Sequence, residues 1–317
     1  MSETLEFDKC CQACQALIEN VEKVMVGKHD VVVQAVTALL AQGHLLIEDV
    51  PGVGKTMLAR ALSRSIGGIY KRIQFTADLL PSDITGVNTF SQRQETFTFR
   101  RGPVFANVLL GDEINRATPR TQSSLLEAME ELKVTVDGVR HTLPMPFFVI
   151  ATQNPIELEG TYPLPFAQLD RFIVRLRIGY LTAEDERQMV RMRLDSAPIE
   201  TLEPAIDSEQ LLAIQKRIAS ITVSDDILGY IVAIVRRTRE VDALEYGASP
   251  RAALDLTRYS QATAMIHERD YVLPDDVKAG AAAILAHRVI VRKGTRHGTL
   301  NADAFIDELV EQVTVPL

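Results

Sequence analysis

Glu48-Asp49-Val50-Pro51-Gly52-Val53-Gly54-Lys55-Thr56 is the stretch on which the fold turns. A phosphate-binding loop follows the pattern G-x-x-x-x-G-K-[ST]. Gly54, Lys55 and Thr56 meet it, while Asp49 stands where the first glycine belongs. The flanks decide how to read that mismatch. His44-Leu45-Leu46-Ile47 has the length and apolar character of a short buried strand, and Met57-Leu58-Ala59-Arg60-Ala61-Leu62 is a helical pattern. A Gly-Lys-Thr between strand and helix is the setting a phosphate loop needs, because the free N–H groups of a helix start cradle an anion. The first glycine mainly eases the turn out of the strand. Gly52 and Gly54 still allow the backbone to approach a phosphate closely.

Working outward, a helix is predicted over Leu5–Val24, broken at Val26-Gly27-Lys28, and a second over Asp30–Ala41. Further apolar strands are expected at Arg72–Phe75, Val104–Leu110, Phe147–Thr152 and Phe172–Leu176. Apolar strands alternating with helices imply a parallel sheet covered on both faces. After about Thr182 the strand signals stop, and helical patterns follow at Asp225–Arg239, Ser249–Met265 and Pro274–Ile290. Ala197-Pro198 and Glu203-Pro204 mark the connection to this smaller, all-helical unit.

The bulk numbers are those of an ordinary globular chain: 317 residues, 46% hydrophobic and 24% charged, a length that suits about two domains. A net charge of −8 argues against a chain whose main task is wrapping nucleic acid. No apolar run approaches the ~18 residues of a membrane span. The acidic start lacks a signal-peptide core, so the expected location is the cytoplasm. Cys10, Cys11 and Cys14 invite a metal reading. However, Cys10, Cys14, Leu17, Val21 and Val24 repeat at helical spacing, which favours core packing.

Four features carry chemistry. The strand over Val104–Leu110 leads into Gly111-Asp112-Glu113. Beside a phosphate loop, Asp112 can hold Mg²⁺ together with Thr56, and Glu113 can polarise an attacking water; otherwise Asp112 is a helix N-cap. Asn154 ends the neighbouring strand, where ligands sit in such sheets, or it is simply a turn residue before Pro155. Arg171 precedes the last strand and either pairs with Asp170 or Glu186 or reaches a neighbour's nucleotide. In Ser249-Pro250-Arg251, Ser caps a helix and Pro takes its first position. A cation there opposes the helix dipole by about 0.3–1 kcal/mol, which suggests that Arg251 serves a phosphate.

Together these residues resemble the MoxR family of AAA+ ATPases. The resemblance rests on Gly43–Thr56, "QFTADLLPSDITG" (Gln74–Gly86), "LLGDEINRATPRTQSSLLEAMEE" (Leu109–Glu131), "ATQNP" (Ala151–Pro155) and "LPFAQLDRF" (Leu164–Phe172). It implies an αβα nucleotide-binding domain with a five-stranded parallel sheet over residues 1–181, and a helical connection with an all-α lid over 182–317. It further implies that Pro51, Gly52, Val53, Gly54, Lys55, Thr56 and Met57 hold ATP, with Lys55 and Thr56 as Walker A residues. Val26 and Gly27 would line the adenine pocket. Asp112 and Glu113 would be the Walker B pair, Thr56 and Asp112 the Mg²⁺ ligands, Asn154 sensor 1, Arg171 the arginine finger and Arg251 sensor 2. The family implies a ring, usually a hexamer, in which each site is completed by the next subunit. It implies chaperone-like assembly or activation of a protein client, including partners with a von Willebrand factor A domain. Phe166 departs from the glutamate expected at its position.

Rival readings are a DNA-associated AAA+ ATPase, the motor subunit of a metal chelatase, and a nucleotide-binding module without turnover. Val134–His141 holds one arginine and an aspartate rather than a basic pore hairpin, against the first, and Asp112-Glu113 argues against the last. Two hairpins are expected to project, one with Phe97 and Phe99 alternating and one turning at Asp137-Gly138. Their tips, Gln94-Glu95 and Asp137-Gly138, are expected to touch the client. The bland alternative packs Phe97 and Phe99 onto their own domain.

Overall fold

Five short strands form a single parallel sheet in the order β2-β5-β8-β1-β9. The computed structural model describes residues 6–92, 95–155, 160–195, 198–292 and 301–316, so Leu5 and the hairpin-tip residue Gln94 lie outside the described residues. In chain order the first part contains α1 (Phe7–Glu22), α2 (His29–Leu40), β1 (Leu45–Glu48), α3 (Lys55–Ser65), β2 (Tyr70–Gln74), α4 (Pro81–Thr85), β3 (Gly86–Ser91) and β4 (Thr96–Arg101). Next come β5 (Val108–Asp112), α5 (Pro119–Glu131), β6 (Lys133–Val136), β7 (Val139–Thr142), β8 (Phe148–Gln153), α6 (Phe166–Leu169) and β9 (Val174–Leu176). The remainder is α7 (Ala183–Asp195), α8 (Pro198–Thr201), α9 (Ser208–Ile218), α10 (Asp225–Glu240), β10 (Leu244–Tyr246), α11 (Pro250–Ile266), α12 (Pro274–Leu285), β11 (Ile290–Val291) and α13 (Ala302–Glu311).

The inner strands β5, β8 and β1 are buried over nearly their whole length, which is why they read as continuous apolar runs. The strand starts differ from expectation by one to four residues, and for the two latest, β5 and β9, a cause is visible. Val104–Asn107 form a turn, and β5 begins at Val108. Asn107 causes this: its Oδ1 accepts from the Ile69 N–H and its Nδ2 donates to Pro146 O, both at 3.0 Å, so it joins the entries of three strands. Likewise β9 starts at Val174, because the Phe172 carbonyl accepts from Arg288 and contacts His287 Nε2.

The C-terminal unit is helical with one correction. β10 and β11 pair antiparallel, Leu244 with Val291 and Tyr246 with Ile290. The helix expected to reach Ile290 stops at Leu285, and β-branched Ile290 and Val291 turn back along the α10–α11 connection. Helix α9 was not read from the sequence although its signal is present: Asp207 accepts from the Gln210 N–H at 2.8 Å, and Gln210 Oε1 accepts from the Asp207 N–H at 3.0 Å.

One apolar cluster runs without a break from α1, α2 and one sheet face into the C-terminal helices; a second fills the other face under α5. α11 packs on α1 and α2, and Gln15 Nε2 donates to Ile266 O at 2.7 Å. Cys10, Cys11 and Cys14 are buried in the first cluster, and burial pushes their thiol pKa values up, that of Cys11 to about 11.

Candidate functional site

The connection after β1 turns through Gly52 and Gly54, whose φ angles of +88° and +107° lie in the left-handed region that glycine tolerates. A Cβ at Gly52 would meet open space, so the loop face is free for a ligand. Lys55 and Thr56 open α3. Burial lowers the Lys55 pKa, opposed by the charges of Asp112, Asp49 and Glu113, and Nζ donates to Asp49 O. Asp49 explains the missing glycine. Its φ is not positive, and its carboxylate accepts from the Val50 N–H at 2.8 Å and the Gly179 N–H at 2.7 Å. The side chain fastens the loop's base to the segment after β9.

Asp112 ends β5 and does not cap a helix. Its Oδ1 accepts from Thr152 Oγ1 at 2.6 Å, and its Oδ2 accepts from Arg72 Nη2 at 2.6 Å. Glu113 follows with φ +57°, its carboxylate held by Gln74 Nε2 at 2.7 Å and Arg116 Nε at 3.3 Å. Its N–H donates to the fully buried Thr152 hydroxyl, so one side chain of β8 orients both acids. Asn154 is buried immediately after β8. Arg72, Gln74 and Thr152 were not singled out in the sequence. Arg72 and Gln74 share one face of an edge strand at period two, the only local signal they carry.

Phosphate loop, acid pair and Asn154 thus gather at the C-terminal edge of the sheet. Beside them Met25, Val26, Val53, Met57, Tyr180 and Met189 line a pocket of about 160 Å³. Gly27 lines the adjoining cleft, where a Cβ would run into the Asp185 carboxylate. The donor set suits Mg²⁺. One carboxylate and one hydroxyl are hard oxygen ligands, and Mg²⁺ usually completes its shell with water and substrate phosphates. Accordingly, no cluster of three or more acidic, His or Cys side chains suits a metal among the described residues.

Arg171 and Arg251 are brought together with each other and not with the phosphate loop. Both line a cleft of about 600 Å³ with His44, Phe147 and Ile173, residues that stand just before β1, β8 and β9. That is the opposite edge of the sheet. Four strand residues at about 3.3 Å each place it roughly 13 Å from the loop side. Arg171 pairs with Glu130 at 3.0 Å rather than with Asp170 or Glu186, and Arg251 lies 3.7 Å from the other Glu130 oxygen. Ser249 does not cap α11 through its side chain: its hydroxyl donates to Asp170 Oδ2 at 2.8 Å. Phe166 packs on Tyr246 of the C-terminal ribbon, ring centroids 6.3 Å apart.

A parallel sheet with a phosphate loop after β1, an acid pair at the end of β5 with β8 lying between the two, and a helical unit packed alongside defines a AAA+ nucleotide-binding module. Residues 44–174 match the ATPase family associated with various cellular activities (AAA), and residues 236–309 match the AAA lid domain. The chain is 49% identical over 300 residues to the uncharacterized protein YeaC of Bacillus subtilis, covering 95% of this chain and 94% of that one. It is 38% identical to the chaperone MoxR1 of Mycobacterium tuberculosis, covering 94% and 81% of the two chains. The crystal structure of an ATPase candidate from Cytophaga hutchinsonii superposes with a TM-score of 0.91 at 35% identity, covering 98% of this chain and 97% of that one. The chain belongs to the MoxR family of AAA+ ATPases.

Proposed function

We propose that the protein hydrolyses ATP with Mg²⁺ in rings, usually of six subunits, and uses the cycle to assemble or activate a client protein complex. The observation that carries this reading is the division of the site between the two edges of the sheet. Lys55, Thr56, Asp112, Glu113 and Asn154 gather at one edge, and the cations Arg171 and Arg251 stand at the other. One chain therefore offers each nucleotide an incomplete set of charges and offers a neighbour the missing part.

In this reading Lys55 leaves Asp49 O for the β/γ-phosphates, and Thr56 and Asp112 would hold Mg²⁺, which would supply charge neutralisation to the phosphates. Glu113, released from Gln74, takes a proton from the attacking water. Asn154 orients that water, and Val26 and Met57 flank the base. Arg171 and Arg251 of the next subunit exchange Glu130 for the γ-phosphate and stabilise the charge that develops there. The family relationship supports a chaperone-like outcome, with a von Willebrand factor A domain protein as client.

The test is complementation. Arg171→Ala and Glu113→Gln rings should each lose turnover, the finger loss being on the order of 10³-fold. Glu113→Gln should still bind ATP with Mg²⁺ in titration calorimetry. Mixed rings should regain turnover, because some interfaces combine an intact acid pair with an intact arginine. No activity from any mixture, with rings verified by native mass spectrometry, would refute the trans role.

A further inference from the structure

Arg288 is among the largest fully buried side chains of the protein, about 1% exposed. Burying a guanidinium is costly unless it is paired and hydrogen-bonded, and such groups are best understood by the register they fix. The partners of Arg288 are not scattered. Its Nε lies 2.9 Å from Asp170 Oδ1, and its Nη2 lies 2.6 Å from Asp255 Oδ2. Nη2 also donates to the backbone carbonyls of Asp170 at 3.1 Å and Phe172 at 2.9 Å.

Every one of these partners flanks an arginine of the cleft. Asp170 and Phe172 are the two chain neighbours of Arg171. Asp255 lies one helical turn after Arg251, with its carboxylate 4.0 Å from the Arg251 Nε. The Ser249 hydroxyl, two residues before Arg251, is tied to the same Asp170. Arg171 belongs to the sheet domain and Arg251 to the helical unit, so their spacing depends on how the two units meet. Arg288 spans that seam: Nη2 donates to acceptors on both sides, while Nε makes a second ion-pair contact with Asp170 that the single nitrogen of a lysine cannot supply at the same time.

We propose that Arg288 is a positioning residue for the composite ATPase site: it fixes Arg171 and Arg251 relative to one another so that both reach one phosphate of the adjoining subunit. This rests on the reading that the two arginines act in trans. Arg288 touches no substrate. It holds the backbone on either side of Arg171 and the helix face that carries Arg251, while Glu130 holds their exposed tips. A misplacement of about 1 Å in such a group costs on the order of 10²-fold in rate.

The experiment compares Arg288→Lys and Arg288→Met with Arg171→Ala. Each is assayed for binding of a fluorescent ADP analogue, for ring formation by native mass spectrometry, and for turnover alone and mixed with Glu113→Gln. The Arg288 variants should bind the analogue and form rings, lose turnover on the order of 10²-fold, and regain it on mixing. Regain is the decisive readout, since a misfolded subunit would not be rescued by a neighbour's arginines. Wild-type turnover in both variants overturns the proposal. So does failure of both to fold, or a loss that mixing does not restore while Arg171→Ala is restored. If mixing fails to restore Arg171→Ala itself, the trans reading falls and the Arg288 role falls with it.

Discussion

Asp49 shows how one residue trades a motif letter for a contact. Glycine is obligatory in a turn only where φ is positive or where another group approaches closely, and the Asp49 backbone is not left-handed. The position is therefore free to carry a carboxylate, which binds two N–H groups from separate segments. His44, at the other end of β1, faces the arginine cleft and is held neutral. Burial, chiefly, and the Arg251 charge lower its pKa to about 4, partly opposed by its bond to Met129 O. In the unfolded chain histidine titrates near 6.5. Between these values the unfolded state binds the extra proton, so the His44 contribution to stability is present at pH 7 and is lost as pH falls toward 4, by up to about 1.4 kcal/mol per pH unit. Urea denaturation at pH 7 and pH 5 should show a larger drop for wild type than for His44→Gln. Equal drops would mean that His44 does not titrate in this window. At this scale the sequence made the placement of Lys55, Thr56, Asp112, Glu113 and Asn154 legible, because each lies at or just beyond a strand end or at a helix start. Arg72, Thr152 and Glu130 were not, since the acids and the arginine they hold lie about 40 residues away in the chain.

At the scale of elements, the first hairpin forms as expected, but Phe97 and Phe99, which share one face of β4, meet different surroundings. Phe97 is 73% exposed and meets the exposed Phe90 edge-on, at 5.3 Å between centroids. Phe99 is half-buried and stacks on His141 of the second hairpin at 3.9 Å. A further link joins Asn88 Nδ2 to the Asp137 carboxylate at 2.7 Å, so the tip of the second hairpin is braced by the first. The two hairpins thus present one coupled surface. They are rooted next to β5 and β8, the strands that carry the acid pair and Asn154. Phe97→Ser should shift stability by no more than about 0.5 kcal/mol and keep rings and basal turnover, while removing stimulation by a client. Phe99→Ala should destabilise by roughly 1–3 kcal/mol. Loss of rings or basal turnover in Phe97→Ser would make that face structural rather than a client contact. Hairpins were legible because Asp-Gly fits a turn with both central φ values positive, here +50° and +78°. The β10–β11 ribbon was not, because its strands are three and two residues long and lie 43 residues apart.

For the whole molecule, periodicity gave the five strands of the main sheet and the helices α1, α2, α3, α10, α11 and α12, but not α7, α8, α9 or α13, and the resemblance suggested dividing the chain at residues 181 and 182. Neither fixes how the two parts dock, and docking decides which edge Arg251 faces. The contacts that set it come from residues without a local signature. Gln15 reaches Ile266, Gln215 Nε2 donates to Leu39 O at 2.8 Å, and Arg288 and His287 meet Phe172. A cation and an imidazole inside the apolar run Ala282–Val291 were the one hint available. We propose that the division at 181 and 182 is one of topology rather than of independent folding. The apolar cluster that begins with α1 and α2 continues through α9, α11 and α12. Removing residues 182–317 would therefore expose buried apolar surface on α1 and α2 at a cost of about 25 cal/mol per Å². Calorimetry of the nucleotide-free subunit, kept dilute enough to be monomeric, should show one cooperative unfolding transition with equal calorimetric and van't Hoff enthalpies. Two resolved transitions would show that the lid folds apart from the sheet domain. The seam holding Arg171 beside Arg251 would then be a hinge that opens without unfolding the core.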